Sequence, residues 1–127
     1  MSTELTTQAK ERAVDIIIAQ GTEAGGFGLW VSTLPLIPRV VDAVKPVPAV
    51  AAGGIADARG LAAALILGAE GVSMGTRFLA SVEASIREER KKTIFSSESE
   101  DAVKVDFFDE LFPPRAPGYG NAKGPEY

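Results

Sequence analysis

The stretch VPAVAAGGIAD, residues 47–57, decides the fold of this chain. Its first six residues form a short apolar run, which predicts a strand. Gly53 and Gly54 follow at once, and Asp57 is a suitable N-cap for an alanine- and leucine-rich helix over residues 58–67. The stretch therefore predicts a strand, a glycine loop and a helix, which make one β/α unit of an α/β protein.

A similar unit precedes this stretch. Residues 13–19 form a compact, β-branched apolar run that predicts another strand, buried on both faces, and the glycine-dense loop 21–28 follows it. Ser32 or Thr33 can cap the next helix, whose apolar residues recur at helical spacing as far as Val44. Strand, loop and helix therefore come in the same order here.

A third unit follows the central one. Residues 71–74 predict a strand, and residues 82–95 predict a helix rich in charged side chains. Short apolar strands that alternate with helices indicate a parallel sheet. Residues 96–127 are first acidic and then rich in Pro and Gly, so we expect an irregular tail after a β/α domain of residues 1–95.

The composition excludes several classes of function. The 127 residues include no Cys and no His, which excludes disulfides, Cys/His zinc sites, cysteine nucleophiles and Ser-His-Asp triads. The net charge of −4 argues against nucleic acid or an anionic membrane as the main partner. No apolar run is long enough to span a membrane and no signal-peptide pattern is seen, so we expect a cytoplasmic location.

Two glycine-containing pairs mark the ends of consecutive strands. Glycine lets the backbone adopt positive φ and approach a ligand, and free N–H groups at a helix N-terminus attract anions. Gly53-Gly54 and Gly75-Thr76 are expected at one edge of the sheet, where both loops can bind one phosphate. A tight turn explains either pair alone, but two pairs in succession favour a phosphate site. In (β/α)8 barrels such a site often follows strands 7 and 8.

Three sequence blocks extend this interpretation to a known family. Residues 20–26, 51–57 and 68–78 resemble, in order and spacing, the signature blocks of the nitronate monooxygenases, formerly called 2-nitropropane dioxygenases. The resemblance covers roughly residues 10–85, and residues 107–111 are similar to a looser C-terminal block of some members. It implies an FMN-dependent, metal-free enzyme that oxidises alkyl nitronates with O2. The implied fold is a (β/α)8 TIM barrel, of which this chain matches about the last three β/α units.

The resemblance also implies which positions bind the cofactor. The FMN phosphate would be held, through backbone N–H groups and one hydroxyl, by Gly53, Gly54, Gly75 and Thr76. Two residues would lie beside the phosphate, Ser73 and Met74. Two would lie near the flavin ring, Gln20 and Gly25.

Phe27 departs from the family pattern. It stands where the family has a His that serves as catalytic base or hydrogen-bonding partner at the flavin, and the chain has no His at any position. Proton abstraction by a positioned base commonly contributes about 10²- to 10⁴-fold in rate, so we expect nitroalkane oxidation to be impaired. Nitronates are already deprotonated and can still react. Since the front strands of the barrel also have no counterpart here, the chain is expected to be a truncated or impaired copy.

Other functions remain open at this point. One alternative is a non-catalytic half-barrel that binds FMN or phosphate, and another is a structural remnant with no ligand. A flavin-dependent enoyl reductase of the related barrel group is a further alternative, whereas the inosine-monophosphate dehydrogenase branch is disfavoured because it depends on a Cys. The open edges of a three-stranded sheet favour pairing with a partner chain or with a second copy.

Five further features have competing interpretations. Glu23 could be a catalytic carboxylate, but a loop carboxylate bound to backbone N–H groups is favoured, and Asp57 is interpreted as a cap. Arg77 could neutralise a phosphate or pair with an acidic neighbour, and Trp30 is expected to pack rather than to stack on flavin. Residues 88–92 are expected to form a solvated helix face with internal charge pairs.

Overall fold

The computed structural model describes residues 14–25 and 30–103. Its centre is a parallel sheet of three short strands in the order β1-β2-β3. The strands are β1 (Ile17–Gln20), β2 (Ala49–Ala52) and β3 (Gly71–Ser73). The prediction of an α/β fold with a parallel sheet is therefore confirmed.

Helices follow each strand, as in successive β/α units. They are α1 (Thr33–Val44), α2 (Ala58–Ile66), α3 (Thr76–Leu79) and α4 (Glu88–Ser96), with a 3-10 turn at Ser99–Asp101. The helix predicted to end near Val44 is α1, and the helix predicted over residues 58–67 is α2. Both predictions are confirmed because their apolar spacing and capping signals are local.

The core lies between α1 and one face of the sheet. Buried side chains recur along α1 at helical spacing and pack against β1 and β2. The core also takes alternate residues of the strands, since side chains of a strand point to opposite faces. The most deeply buried members of the core are Ile17, Ala19, Leu36, Ile37, Val40, Val44, Ala49, Ala51 and Ala64.

The opposite face of the sheet is largely uncovered within the part of the chain that the structure describes. Ile16 is 57% exposed and Ile18 is 50% exposed, whereas Ile17 between them is buried. The prediction that the first strand is buried on both faces is therefore wrong for these residues. The cause is that α1 covers one side of β1, while the described residues place no layer on the other side.

The region after β3 differs most from the prediction. The helix expected over residues 82–95 begins only at Glu88, and the short helix α3 occupies a segment that was expected to be a loop. Residues 82 and 83 form a turn instead, and Ala84 N donates to the Ser81 carbonyl oxygen at 3.3 Å.

The C-terminal region is described only in part. Helix α4 ends at Ser96, and the 3-10 turn is followed by extended backbone at Ala102. The rest of the expected tail, residues 104–127, lies outside the described residues. The division into residues 1–95 and 96–127 therefore stays a prediction. No helix in residues 14–25 and 30–103 has the length and apolar character needed to cross a membrane.

Candidate functional site

The three strands end in a single row at one edge of the sheet. Gln20 pairs with Ala52, and Ala52 pairs with Ser73. Because neighbouring strands lie about 4.8 Å apart, this row is on the order of 10 Å wide. The loops that follow the three strands therefore leave the sheet side by side, within reach of one ligand of moderate size.

The loop after β2 has the backbone conformation predicted for a phosphate-binding turn. Gly53 and Gly54 have φ values of 114° and 66°, which side chains of L-residues rarely tolerate. A Cβ at Gly53 would lie 2.7 Å from Thr33 Oγ1 and 2.8 Å from Ala24 N, so only glycine fits there. Within residues 14–25 and 30–103, no backbone acceptor is found for the N–H of Gly54. This loop can therefore offer backbone N–H to an anion.

The loop after β3 is open in a different way. A Cβ at Gly75 would meet nothing within 4 Å, and Thr76 directly after it is exposed. Thr76 begins α3, whose first N–H groups lack intrahelical acceptors, and no side chain caps this helix. Met74 and Gly75 also line an open cavity of about 660 Å³ together with Phe78. A ligand can therefore approach the backbone of this loop closely.

The two residues expected near a flavin ring lie in direct contact. Gln20 Nε2 at the end of β1 donates a hydrogen bond to the carbonyl oxygen of Gly25, at 2.9 Å. Gly25 is exposed, and a Cβ there would meet nothing within 4 Å. The bond fixes the Gln20 side chain against the glycine loop and leaves its amide oxygen to accept from a ligand.

Glu23 acts as a loop carboxylate that binds the start of α1. Its Oε2 accepts from Thr33 N at 2.9 Å, from Thr33 Oγ1 at 2.8 Å and from Thr22 Oγ1 at 3.3 Å. Burial by itself raises the pKa of Glu23, but hydrogen bonds from its own backbone, from Thr33 and from Thr22 outweigh burial and lower that pKa. The favoured interpretation of Glu23 is confirmed, and Ser32 makes no side-chain capping bond.

Asp57 caps α2, as the sequence predicts. Its Oδ1 accepts from Arg59 N at 3.0 Å and from Gly60 N at 3.2 Å, and its Oδ2 accepts from the Arg59 guanidinium. The hydrogen bond from the Arg59 side chain, together with the backbone bond from Gly60, lowers the pKa of Asp57. Two N–H groups at the start of α2 are thus already used. An anion at this edge would bind the Gly53-Gly54 backbone rather than these helix N–H groups.

The other predicted residues lie at the rim of the edge or away from it. Ser73 ends β3 in the same row as Gln20 and is exposed, and Arg77 is exposed in α3. Trp30, which was expected to pack, keeps 54% of its surface exposed. Phe27 lies outside the described residues.

The prediction of a solvated helix face over residues 88–92 is wrong for Lys91. It is only 8% exposed, and its Nζ lies 3.4 Å from Glu88 Oε1 and donates to the Val82 carbonyl at 3.5 Å. The predicted charge pair is present, but the aliphatic part of Lys91 is buried. A long lysine side chain can cover apolar surface while its ammonium group stays paired.

Thr33 is the residue whose role sequence reasoning missed. It is 6% exposed and lies against Gly21 and Gly53, where added Cβ atoms would collide with it. In the sequence Thr33 is visible only as a candidate cap. One signal could have indicated that the backbone of other loops comes close to Thr33. This signal is the glycine at positions 21 and 53, before and after it in the sequence.

Comparisons with known proteins agree with this geometry. The profile of the family described as nitronate monooxygenase matches residues 2–110. The chain belongs to the nitronate monooxygenase family. Members of this family are flavin-dependent oxidoreductases, which supports a flavin cofactor and enzyme status at the level of the family.

Individual relatives cover most of the chain. It is 52% identical over 91 residues to Rv1533 of Mycobacterium tuberculosis, which is named as a monooxygenase, covering 72% of this chain and 24% of the relative. It is 43% identical over 111 residues to a Staphylococcus aureus protein named as a nitronate monooxygenase, covering 79% and 31%. The structure of FabK from Thermotoga maritima aligns with a TM-score of 0.79 at 42% identity, covering 84% and 34%. The chain thus spans about a quarter to a third of the length of these relatives.

Proposed function

We propose that this chain carries the FMN-binding end of a nitronate monooxygenase, built as about the last three β/α units of a (β/α)8 barrel. The observation that carries the proposal is the single row in which Gln20, Ala52 and Ser73 end the three strands. In TIM-barrel enzymes the active site lies at this end of the strands, and phosphate is frequently bound by the last two loops. Residues 1–95 would form the barrel part and residues 96–127 its tail.

The proposed cofactor site divides into a phosphate end and a ring end. The positive φ values of Gly53 and Gly54 and the unobstructed backbone at Gly75 and Thr76 support phosphate binding at the loops after β2 and β3. Ser73 and Met74 would lie beside the phosphate. The Gln20–Gly25 contact would lie at the ring, one strand away. An elongated molecule with a terminal phosphate, such as FMN, fits this arrangement.

The proposed substrate is an alkyl nitronate, and O2 is the electron acceptor. When bound, FMN supplies the redox chemistry, while the protein supplies binding, orientation and electrostatics. The Gln20 amide would orient the flavin edge, and the glycine loops would anchor its phosphate. Because a nitronate has already lost its carbon-bound proton, its oxidation requires no base at Phe27. A nitroalkane must lose that proton first and should react about 10²- to 10⁴-fold more slowly than in an enzyme with a base there.

Flavin titration tests the cofactor assignment. FMN should bind the full chain more tightly than riboflavin, which has no phosphate, when followed by quenching of flavin fluorescence. Gly75→Val should weaken FMN binding about tenfold or more, equivalent to about 1.4 kcal/mol, because the new side chain occupies the approach to the backbone. The fold should tolerate it, since nothing lies within 4 Å of that Cβ position. Asp42→Ala, at an exposed pair with Lys45, is the control.

Two outcomes of the titration would contradict the assignment. The first is that the chain binds no FMN. The second is that riboflavin binds as tightly as FMN and Gly75→Val changes neither affinity. Either result removes the phosphate site from the loops after β2 and β3.

Oxygen uptake tests the reaction. The FMN-loaded chain should consume O2 with an alkyl nitronate and much less with the parent nitroalkane. Phe27→His should raise the nitroalkane rate and leave the nitronate rate nearly unchanged, because only the nitroalkane needs a base. An unchanged nitroalkane rate in that variant would count against the positional match of Phe27 to the family His.

Two other functions compete with this one. A flavin-dependent enoyl reductase is favoured by the alignment with FabK from Thermotoga maritima. This function would be supported if the chain reduced an enoyl thioester and consumed no O2 with nitronates. The other is a non-catalytic FMN-binding module. This function would be supported if the chain bound flavin but turned over neither the nitronate nor the enoyl thioester.

Association through the sheet is part of the proposal. In the described residues β1 and β3 each have an unpaired edge, and the side chains of Ile16, directly before β1, and Ile18, within β1, are exposed. Open edges of this kind favour pairing with a partner chain or a second copy. Light scattering after size-exclusion chromatography should show a mass above that of the 13.3 kDa chain that rises with concentration. A monomer at every concentration would exclude self-association.

A further inference from the structure

Thr33 lies between two glycine loops at the candidate site. It is the first residue of α1 and is 6% exposed. A Cβ at Gly21 would lie 2.5 Å from Thr33 N, and a Cβ at Gly53 would lie 2.7 Å from Thr33 Oγ1. Gly21 N also donates to the Ala52 carbonyl at 2.9 Å, so the first residue of one loop is bonded to the last residue of β2, directly before the other loop.

Glu23 connects Thr33 to the same two loops. Its carboxylate accepts both the N–H and the hydroxyl of Thr33, at 2.9 and 2.8 Å. The Cβ of Glu23 lies 3.3 Å from the position that a Cβ at Gly54 would take. Thr33 Oγ1 is also 3.4 Å from the Ala52 carbonyl, directly before the Gly53-Gly54 turn. The loop after β1 therefore supplies the Glu23 carboxylate, and the loop after β2 packs against the Glu23–Thr33 pair.

We propose that Glu23 and Thr33 are positioning residues that fix the Gln20–Gly25 loop against the Gly53-Gly54 loop. The inference rests on the proposed function, in which the first loop lies at the flavin ring and the second at its phosphate. Ring and phosphate belong to one molecule of fixed reach, so the two loops must keep a set separation to bind both ends. Supporting residues typically have to hold such a site within about 0.5 Å.

Helix capping alone does not account for the arrangement. A cap needs one acceptor for an N–H at the start of α1, and Ser32 stands at the N-cap position without using its hydroxyl for this purpose. The carboxylate instead comes from ten residues earlier and takes the Thr33 hydroxyl as well as its N–H. Both bonds join α1 to the glycine loop, and the buried hydroxyl lies against the second loop.

Three variants separate positioning from capping. Thr33→Val keeps the shape and the N–H of residue 33 but removes the hydroxyl. Glu23→Gln keeps the length of the side chain and weakens both bonds, because bonds to a charged acceptor are about twice as strong as neutral ones. Thr33→Ser keeps the hydroxyl and should behave like the wild type. Asp42→Ala, on the exposed side of α1, is the matched control.

The first measurement needs no flavin. Ala24 N lies 2.8 Å from the Cβ position at Gly53, so the Ala24 amide proton and the Gly53 α-protons should give a strong nuclear Overhauser effect in the full chain. Thr33→Val and Glu23→Gln should weaken or abolish this signal, whereas Thr33→Ser and Asp42→Ala should keep it. A signal that persists at full strength in both Thr33→Val and Glu23→Gln overturns the inference.

The second measurement compares FMN with riboflavin by fluorescence titration. Thr33→Val should lower FMN affinity about tenfold, equivalent to about 1.4 kcal/mol, and leave riboflavin affinity almost unchanged, because only FMN must contact both loops. Equal losses for both flavins, or no loss for either, would also overturn positioning. If the wild type binds no FMN, the proposed function fails, and the amide signal alone then decides whether the pair fixes the loops.

Discussion

Replacing Gly53 by alanine places a methyl group in a space that the protein has already filled. Gly53 has φ 114°, and the left-handed side of the backbone map costs an L-residue about 1–2 kcal/mol. The new Cβ would also lie 2.7 Å from Thr33 Oγ1 and 2.8 Å from Ala24 N, and relief of such overpacking typically costs about 1–3 kcal/mol. The free energy of unfolding should therefore fall by about 2–5 kcal/mol, a large part of the roughly 5–15 kcal/mol of a typical domain.

Urea denaturation followed by circular dichroism measures this loss. Gly75→Ala is the matched control because its φ is −97° and nothing lies within 4 Å of its Cβ position. Its free energy of unfolding should stay within about 0.5 kcal/mol of the wild type. If Gly53→Ala is equally mild, the close contact of the Gly53 loop with Thr33 and Ala24 is refuted.

Three further predictions concern stability. Ile37 is 2% exposed, so Ile37→Ala should lower the free energy of unfolding, measured by urea denaturation, by about 2–5 kcal/mol. Leu34 on the same helix is 62% exposed, so Leu34→Ala should change that free energy little. Equal losses would contradict the assigned core face of α1. Asp57→Ala should lower the midpoint temperature of thermal unfolding by loss of the cap, and Asp57→Asn should restore most of that loss. Because hydrogen bonds outweigh burial and lower the folded-state pKa of Glu23 below 4.5, Glu23 contributes stability above pH 4.5 that is lost as pH falls below that value. Glu23→Gln should flatten this acid limb, and superimposable pH profiles would rule the contribution out.

Features that depend on residues close in sequence could be predicted. The apolar spacing along α1 predicts its buried face, and Asp57 contacts N–H groups only two and three residues ahead. The Gly53-Gly54 turn was predicted from the same local signal, because glycine after a short strand and before a capped helix favours positive φ. The parallel order of the sheet followed from the alternation of strands and helices.

Features that depend on distant residues could not be predicted in this way. The Glu23–Thr33 bonds join residues ten positions apart, and nothing in their spacing distinguishes them from an ordinary loop and cap. Similarly, the apolar composition of β1 does not tell whether another layer of structure covers Ile18, whose side chain is exposed in the described residues. The start of α4 was misplaced because the charged residues in 82–95 suit a helix, and their spacing does not mark the turn at residues 82 and 83.

The position of Thr33 limits how this sequence can vary. Gly21 and Gly53 both face Thr33, so a larger residue at any one of the three positions collides with another. A library that randomises all three together should return glycine at the outer two and serine or threonine at the centre. Substitutions would then be accepted or rejected jointly, and a design that seeks new ligands should spare this trio and diversify Gly25 and Gly75, where the backbone has room.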